Sequence, residues 1–228
     1  MDMFYWVIII GFSIIGFLVS NRLKSKFKQY SQVSLRSGMS GREVAEAMLR
    51  YYGINDVQIT QGQGFLSDHY NPVTKIVNLS PEVYQGRSIS SAAVAAHECG
   101  HAVQHANAYV WLKFRSAIVP FVNVAAMAQQ WLLLAAFMLL NSFPALMLIT
   151  IIAFAVTTAF AFITLPVEFD ASRRALVWLD ESGTAKGTEY DGAKDALWWA
   201  AMTYVSAALS ALAMLLYLVL RYMGSSRN

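Results

Sequence analysis

Long apolar runs alternate with polar blocks along the chain, and the two kinds of segment predict different elements. A bilayer crossing needs about 20 mostly apolar residues in one helix. Residues 4–20 approach that length, opening with FYWVIIIGFSIIGFLV from Phe4 to Val19. Residues 117–140, 145–165 and 197–220 read the same way, so about four transmembrane helices are expected. Pro120, Asn123, Gln129 and Gln130 interrupt the second run. They are costly in lipid, which predicts that they face protein or a wet cavity. NSFP at 141–144 predicts a tight hairpin between the second and third spans. Trp198, Trp199 and Tyr204 stand near one end of the fourth, where interface anchors belong.

The polar blocks are residues 21–116 and 166–196. Ser40 and Glu43 form a capping-box pattern, and Val44, Ala47 and Met48 follow as an apolar stripe. Gly53 is a plausible stop for that helix. VQIT at 57–60, GFLSDHYNP at 64–72 and KIVNLS at 75–80 predict short strands. The Asn71-Pro72 turn makes two of them a hairpin. A helix over about 90–107 comes next, with Ser88, Ser90 or Ser91 as its cap. No internal repeat or low-complexity linker divides residues 1–228, which are read as one domain.

Composition agrees with a membrane protein. Charged residues make up 14% of the chain, against roughly 25% in soluble domains. The net charge of +3 is too small to suggest nucleic acid. One cysteine excludes an intramolecular disulfide and a multi-cysteine metal site. Most Lys and Arg residues lie between Arg22 and Arg115, with a second group at Arg173, Arg174, Lys186 and Lys194. The positive-inside rule puts both blocks in the cytoplasm and the N-terminus outside. A cleaved signal peptide would carry its positive charge before the first apolar run. Here Asp2 precedes it and Arg22, Lys24, Lys26 and Lys28 follow.

Histidine usage changes the picture. Three of the four histidines, His97, His101 and His105, lie in AAHECGHAVQHA. His97 and His101 are spaced i, i+4, so they share one helix face about 6 Å apart. Two imidazoles so placed can hold one zinc, and Glu98 is angled to the same side. This is the His-Glu-x-x-His arrangement of zinc peptidases. Zinc activates water by lowering its pKa to about 7, and a carboxylate then takes the proton.

A catalytic zinc keeps three protein ligands and one open position. His105 and Glu168 compete for the third place. The Cα of His105 lies about 12 Å along the helix axis from that of His97, which makes closure on one ion awkward. Glu168, in TLPVEFDASRR, follows the third span on the same expected face, and Pro166 could start a new helix there. A carboxylate from a second helix would complete a His2Glu site holding one Zn2+ per chain, so Glu168 is preferred. Its competing role is a salt bridge to Arg173 or Arg174.

Other residues carry two readings each. His69 could donate to the oxyanion formed as a peptide bond is attacked, or be a turn residue held by Asp68. Arg173 could serve the same oxyanion or pair with a carboxylate. KIVNLS could take substrate as an added strand or be an interior strand. Cys99 lies off the ligand face and reads as packing. Gly100 would permit close approach of another segment. Gln104 and His105 could support the ligands or cap the helix end.

The chain resembles the YugP-like family of bacterial membrane zinc metallopeptidases. The resemblance rests on LSDHYNP at 66–72, NLSPEVYQGRSISSAAVAAHECGHAVQHA at 78–106, RSAIVP at 115–120, LPVEFDASRRAL at 165–176 and AAMTYVSAAL at 200–209. These stretches span most of the chain in the family's order. The resemblance implies His97 and His101 as ligands, Glu98 as catalytic base and Glu168 as third ligand. A more distant similarity is to the HtpX-type and CAAX-prenyl-protease metallopeptidases, where an Asp four residues after the ligand Glu steadies a zinc histidine. Here that position is Ser172 and the nearest acid is Asp170.

The expected fold class is therefore mainly α: a polytopic membrane protein with a small α+β, zincin-like cytoplasmic portion. The expected function is a gluzincin-like, zinc-dependent endopeptidase of the bacterial cytoplasmic membrane. It would hydrolyse peptide bonds in membrane or membrane-proximal proteins, using a zinc-activated water with Glu98 as general base. Its partners would be that substrate and the lipid bilayer, with no nucleic acid. No residue pattern specifies a regulatory membrane partner. One alternative is a non-catalytic scaffold in which zinc staples residues 90–107 to 166–174, leaving Glu98 without a task. Another is a metal-handling protein, although the spans lack the ladder of acids and histidines that an ion path needs.

Overall fold

The computed structural model describes residues 3–64, 67–139 and 143–225. Helices α1 (Met3–Ser31), α5 (Val110–Met138), α6 (Pro144–Glu181) and α7 (Thr188–Ser225) are the long ones. Between α1 and α5 lie α2 (Gly41–Tyr51), β1 (Gln58–Gln61), β2 (His69–Asn71), β3 (Ile76–Leu79), α3 (Pro81–Gln85) and α4 (Ile89–Ala106). All four long helices are apolar and long enough to cross a membrane. No more than 22% of the apolar window in any of them is buried, so most of these apolar side chains face outward.

The long helices do not stop where the apolar runs stop. α1 carries Arg22, Lys24, Lys26 and Lys28 on to Ser31. Pro166 does not start a helix, because α6 runs through it unbroken. No Gly or Asn precedes it to cap a helix end. The lost hydrogen bond costs about 3 kcal/mol, whereas a break would orphan about eight backbone groups. Glu168 therefore sits on the same helix as the third apolar run. Asn141 and Ser142 of the expected hairpin lie outside the described residues.

Contacts divide the chain into two units. One gathers Met1–Val19, Phe114–Leu165 and Thr203–Asn228. Its core packs Tyr5 against Ala136, Met147, Met214, Tyr217 and Leu218. Gln129 finds the expected protein partner, donating to Thr157 Oγ1 at 3.4 Å. Asn123 and Gln130 are exposed on α5 among the described residues.

The other unit comprises Ser20–Lys113 and Pro166–Met202. Helix α2 begins with the expected capping box: Ser40 N donates to Glu43 Oε2 at 2.7 Å and Glu43 N to Ser40 Oγ at 3.3 Å. It ends where Gly53 takes a φ of +69°, a conformation that favours glycine. Val44 and Met48 are fully buried, worth about 1.5–3 kcal/mol each.

The sheet has the order β1-β3-β2. β1 runs parallel to β3, and β2 runs antiparallel to it. The hairpin turn is held by Asn71 Oδ1, which accepts from Val73 N and Thr74 N. β3 is the central strand, so KIVNLS cannot take an added strand; both its edges are already paired. The free edges belong to β1 and β2. Val77 and Leu79 of β3 are buried in one core with Ala92, Ala95 and Ala96 of α4 and with Trp178 of α6. Alanines on α4 let its neighbours approach closely, which matters for the chemistry it carries.

Candidate metal centre

Helix α4 is buried along nearly its whole length and capped by Ser88, whose hydroxyl accepts from Ser91 N at 3.2 Å. The i, i+4 spacing puts the rings of His97 and His101 4.8 Å apart, edge to face. α6 crosses α4 at Gly100. A Cβ on Gly100 would lie 2.5 Å from the carbonyl oxygen of Ala171, so only glycine allows this approach. Glu168 stands one turn before Ala171 on α6 and is brought against both histidines. Its Oε2 lies 3.4 Å from His97 Nε2 and 3.6 Å from His101 Nε2. Within the described residues, these three side chains form a group able to hold a metal ion, their ligand atoms all within 4.8 Å of one another.

Hydrogen bonding fixes what the imidazoles offer. Gln104 Nε2 donates to Val167 O at 2.8 Å and to Asp170 Oδ2 at 2.9 Å. Both are acceptors only, so the amide nitrogen must face them. The amide oxygen, Oε1, is then left facing His101 Nδ1 at 3.0 Å, and that nitrogen must carry the proton. In a neutral ring the Nε2 of His101 is a lone pair directed at Glu168. On His97, Nδ1 is engaged by Ser172 Oγ at 3.1 Å, again leaving Nε2 toward the carboxylate.

Lone pairs aimed at a carboxylate oxygen repel unless a proton or a metal cation lies between them. Distances of 3.4 and 3.6 Å are long for charge-assisted hydrogen bonds, which run about 2.7–2.9 Å. They match the roughly 3.3 Å edge of a tetrahedron whose ligands stand about 2.0–2.1 Å from zinc. The residues present therefore fit a zinc ion.

Around the three, charges are arranged rather than scattered. Asp170 binds Gln104 on one side and the guanidinium groups of Arg173 and Arg174 on the other. Both arginines thus pair with Asp170. Glu98 is buried, and burial pushes its carboxyl above the ordinary carboxylate value. The His97 and His101 charges pull it down, and those of Glu168 and Asp68 push it up. Asp68 itself accepts from Ser80 N at 2.7 Å and Ser80 Oγ at 3.2 Å, and its burial raises its own carboxyl too.

The other candidates are placed elsewhere. His105 Nδ1 lies 2.7 Å from the hydroxyl of Tyr70 and is not in the three-residue group. His69 is exposed on β2, its Nδ1 2.8 Å from Ser67 O. Tyr70 pairs with buried Val77, so His69 projects from the opposite face of the sheet. Cys99 is buried and directs its thiol to Ala45 O at 3.7 Å. The link between Asp68 and Ser80 and the pair of Tyr70 with His105 had no counterpart in the sequence reading. Neither spans a regular spacing. Gln104 did have a signal, since i+3 from His101 is a position that can reach it.

Comparison with known proteins follows this geometry. The family described as "Putative neutral zinc metallopeptidase" matches residues 5–223. The Bacillus subtilis (strain 168) protein titled "Putative membrane protease YugP" is 41% identical over 210 residues, covering 92% of each chain. No solved structure matches.

Proposed function

The chain belongs to this neutral zinc metallopeptidase family, and from that premise we propose that it is a gluzincin-like endopeptidase of the bacterial cytoplasmic membrane. One observation carries the reading: His97 Nε2 and His101 Nε2 stand 3.4 and 3.6 Å from Glu168 Oε2, near the edge length of a tetrahedral zinc site, with all ligand atoms within 4.8 Å of one another and Nδ1 of each ring held from behind. In this reading His97, His101 and Glu168 hold one zinc per chain.

When bound, zinc supplies a Lewis acid that polarises a peptide carbonyl and brings the pKa of water near 7. The chain's own residues supply the rest. Glu98 is the general base: its carboxyl oxygen takes a proton from the attacking water and returns it to the leaving amine. Burial raises its pKa, which suits a group that must give the proton back. Ser172 and the Gln104–Asp170 pair keep the two imidazoles in the tautomer and orientation that the site requires. His69 is assigned to the oxyanion. On the exposed face of β2, its ring would have to turn toward the metal centre to reach the oxyanion. With Nδ1 facing Ser67 O, its Nε2 can donate only from the imidazolium.

The substrates in this reading are peptide bonds of membrane or membrane-proximal proteins. The charge pattern of residues 21–116 and 166–196 supports a cytoplasmic zincin-like portion and active site, with the N-terminus outside. The test is metal content beside proteolysis of a casein substrate, using protein purified in detergent. Glu98→Gln is expected to keep its zinc and lose cleavage, and His69→Gln to keep zinc and lose about 100-fold. Cleavage at the parent rate by Glu98→Gln would reject the mechanism.

A further inference from the structure

His97 has a partner that also faces a cavity. Ser172, which engages Nδ1 of that ring, is also part of the wall of a cavity of about 210 Å³ lined by α6 and α7. Its walls are mostly apolar. Phe169 and Trp198 stand at it with 39% and 54% of their surfaces exposed, a large apolar area for a polar block to leave uncovered. The charged side chains that line it are Arg173 and Lys194, and no acid among the described residues joins them. Arg173 gives one nitrogen to Asp170, but its side chain is 73% exposed. Lys194 is exposed, and Tyr190 also lines the cavity.

We propose that this cavity is a binding site for an anionic phospholipid. The phosphate lies between Arg173 and Lys194, and an acyl chain runs over Phe169 and Trp198. Exposed Lys194 and the largely exposed Arg173, which keeps one ion pair to Asp170 outside the lining, stand above an apolar wall and match a phosphate borne on a hydrocarbon chain. A free phosphate would leave the apolar wall wet. Trp198 also opens the apolar run of α7, so the chain would pass directly along a helix long enough to cross the membrane. Ser172 belongs to both places, and the lipid thereby touches the residue that orients His97. The proposal rests on the membrane placement given above but not on peptidase activity.

The test uses the full chain in uncharged detergent, with brominated phosphatidylglycerol or brominated phosphatidylcholine added to the micelles. Bromine on the acyl chain quenches a neighbouring indole. Trp198 is one of six tryptophans, so its share is the part lost in Trp198→Phe. Brominated phosphatidylglycerol is expected to quench that share at lower mole fraction than phosphatidylcholine. Lys194→Gln should weaken the preference about fivefold and the double variant with Arg173→Gln about 25-fold. Lys194→Gln leaves the Asp170 cluster untouched, so it remains informative if the double variant does not fold. The same quenching should persist after metal is stripped, which separates this test from that of the peptidase. Equal quenching by the two lipids, or no effect of Lys194→Gln, would overturn the proposal. Displacement by inorganic phosphate alone would make the cavity a phosphate site. Displacement by a short acidic peptide would make it a substrate site. Either displacement also overturns the lipid assignment.

Discussion

Gly100 of α4 and Ala171 of α6 meet so closely that a Cβ on the glycine would lie 2.5 Å from the Ala171 carbonyl oxygen. His97 is one turn before Gly100, and Glu168 is one turn before Ala171. The crossing of two backbones thus sets the distance between the ligands, and a residue with no side chain controls the site. Gly100→Ala should push α6 away and open the three-residue group. Overpacking of this kind costs about 1–3 kcal/mol. The expected outcome is a folded protein that binds zinc more weakly, measured by competition with a chelator. Parent affinity in Gly100→Ala would mean that the crossing does not govern the ligands.

Gln104 acts as a connector between helices, since it joins His101 to Asp170 and to the backbone of Val167. Ser172 does the corresponding work for His97. Partners that orient a ligand histidine are typically worth 10- to 100-fold in metal affinity. Gln104→Leu and Ser172→Ala should each lose affinity in that range while retaining the helical circular dichroism of the parent. Gln104→Leu should lose more, because it also leaves Asp170 and Val167 O short of a buried donor. Metal titration of the two variants decides this, and unchanged affinity in both would remove the supporting role.

These relationships show what the sequence could and could not carry. The i, i+4 histidines and the apolar runs were legible because helical period and bilayer thickness impose them locally. Glu168 was legible only as a candidate, since its pairing with α4 depends on a helix crossing far along the chain. The replacement of the expected Asp by Ser172 looked like a gap in the site. It is filled by a hydroxyl on one histidine and by a carboxylate reaching the other through Gln104, an indirect route that no spacing rule reports. Pro166 misled for a related reason: a local helix breaker was overridden within α6, a helix of 38 residues. KIVNLS was readable as a strand, but the choice between an interior strand and an edge open to substrate stayed undecided, because strand order is a long-range property.

Tyr70 offers a prediction in the alkaline range. Its phenol is pushed up to about 12, first by burial and then by the nearby Asp56 charge. A folded-state value above the ordinary value near 10 means that the fold favours the neutral phenol. That contribution to stability is complete below about pH 10 and is lost as pH rises toward 12. A phenolate difference titration, parent minus Tyr70→Phe, should show one group ionising near 12. A difference centred at the ordinary tyrosine value would contradict the burial of Tyr70 against His105.

The choice between His105 and Glu168 is the most direct test of the site. Both could complete a pair of histidines from one helix, and only their partners distinguish them. Glu168 Oε2 faces both Nε2 atoms, whereas His105 Nδ1 is engaged by Tyr70. Removing a ligand from a three-ligand site also leaves two imidazole lone pairs with nothing to neutralise the ion's charge. Glu168→Gln should therefore lose zinc from the purified protein, and His105→Ala should retain about one zinc per chain. Zinc retained in Glu168→Gln and lost in His105→Ala would require α4 to distort until His105 and His97 close on one ion. Their Cα atoms stand about 12 Å apart along an unbroken helix. The absence of any break between Ile89 and Ala106 argues against that distortion.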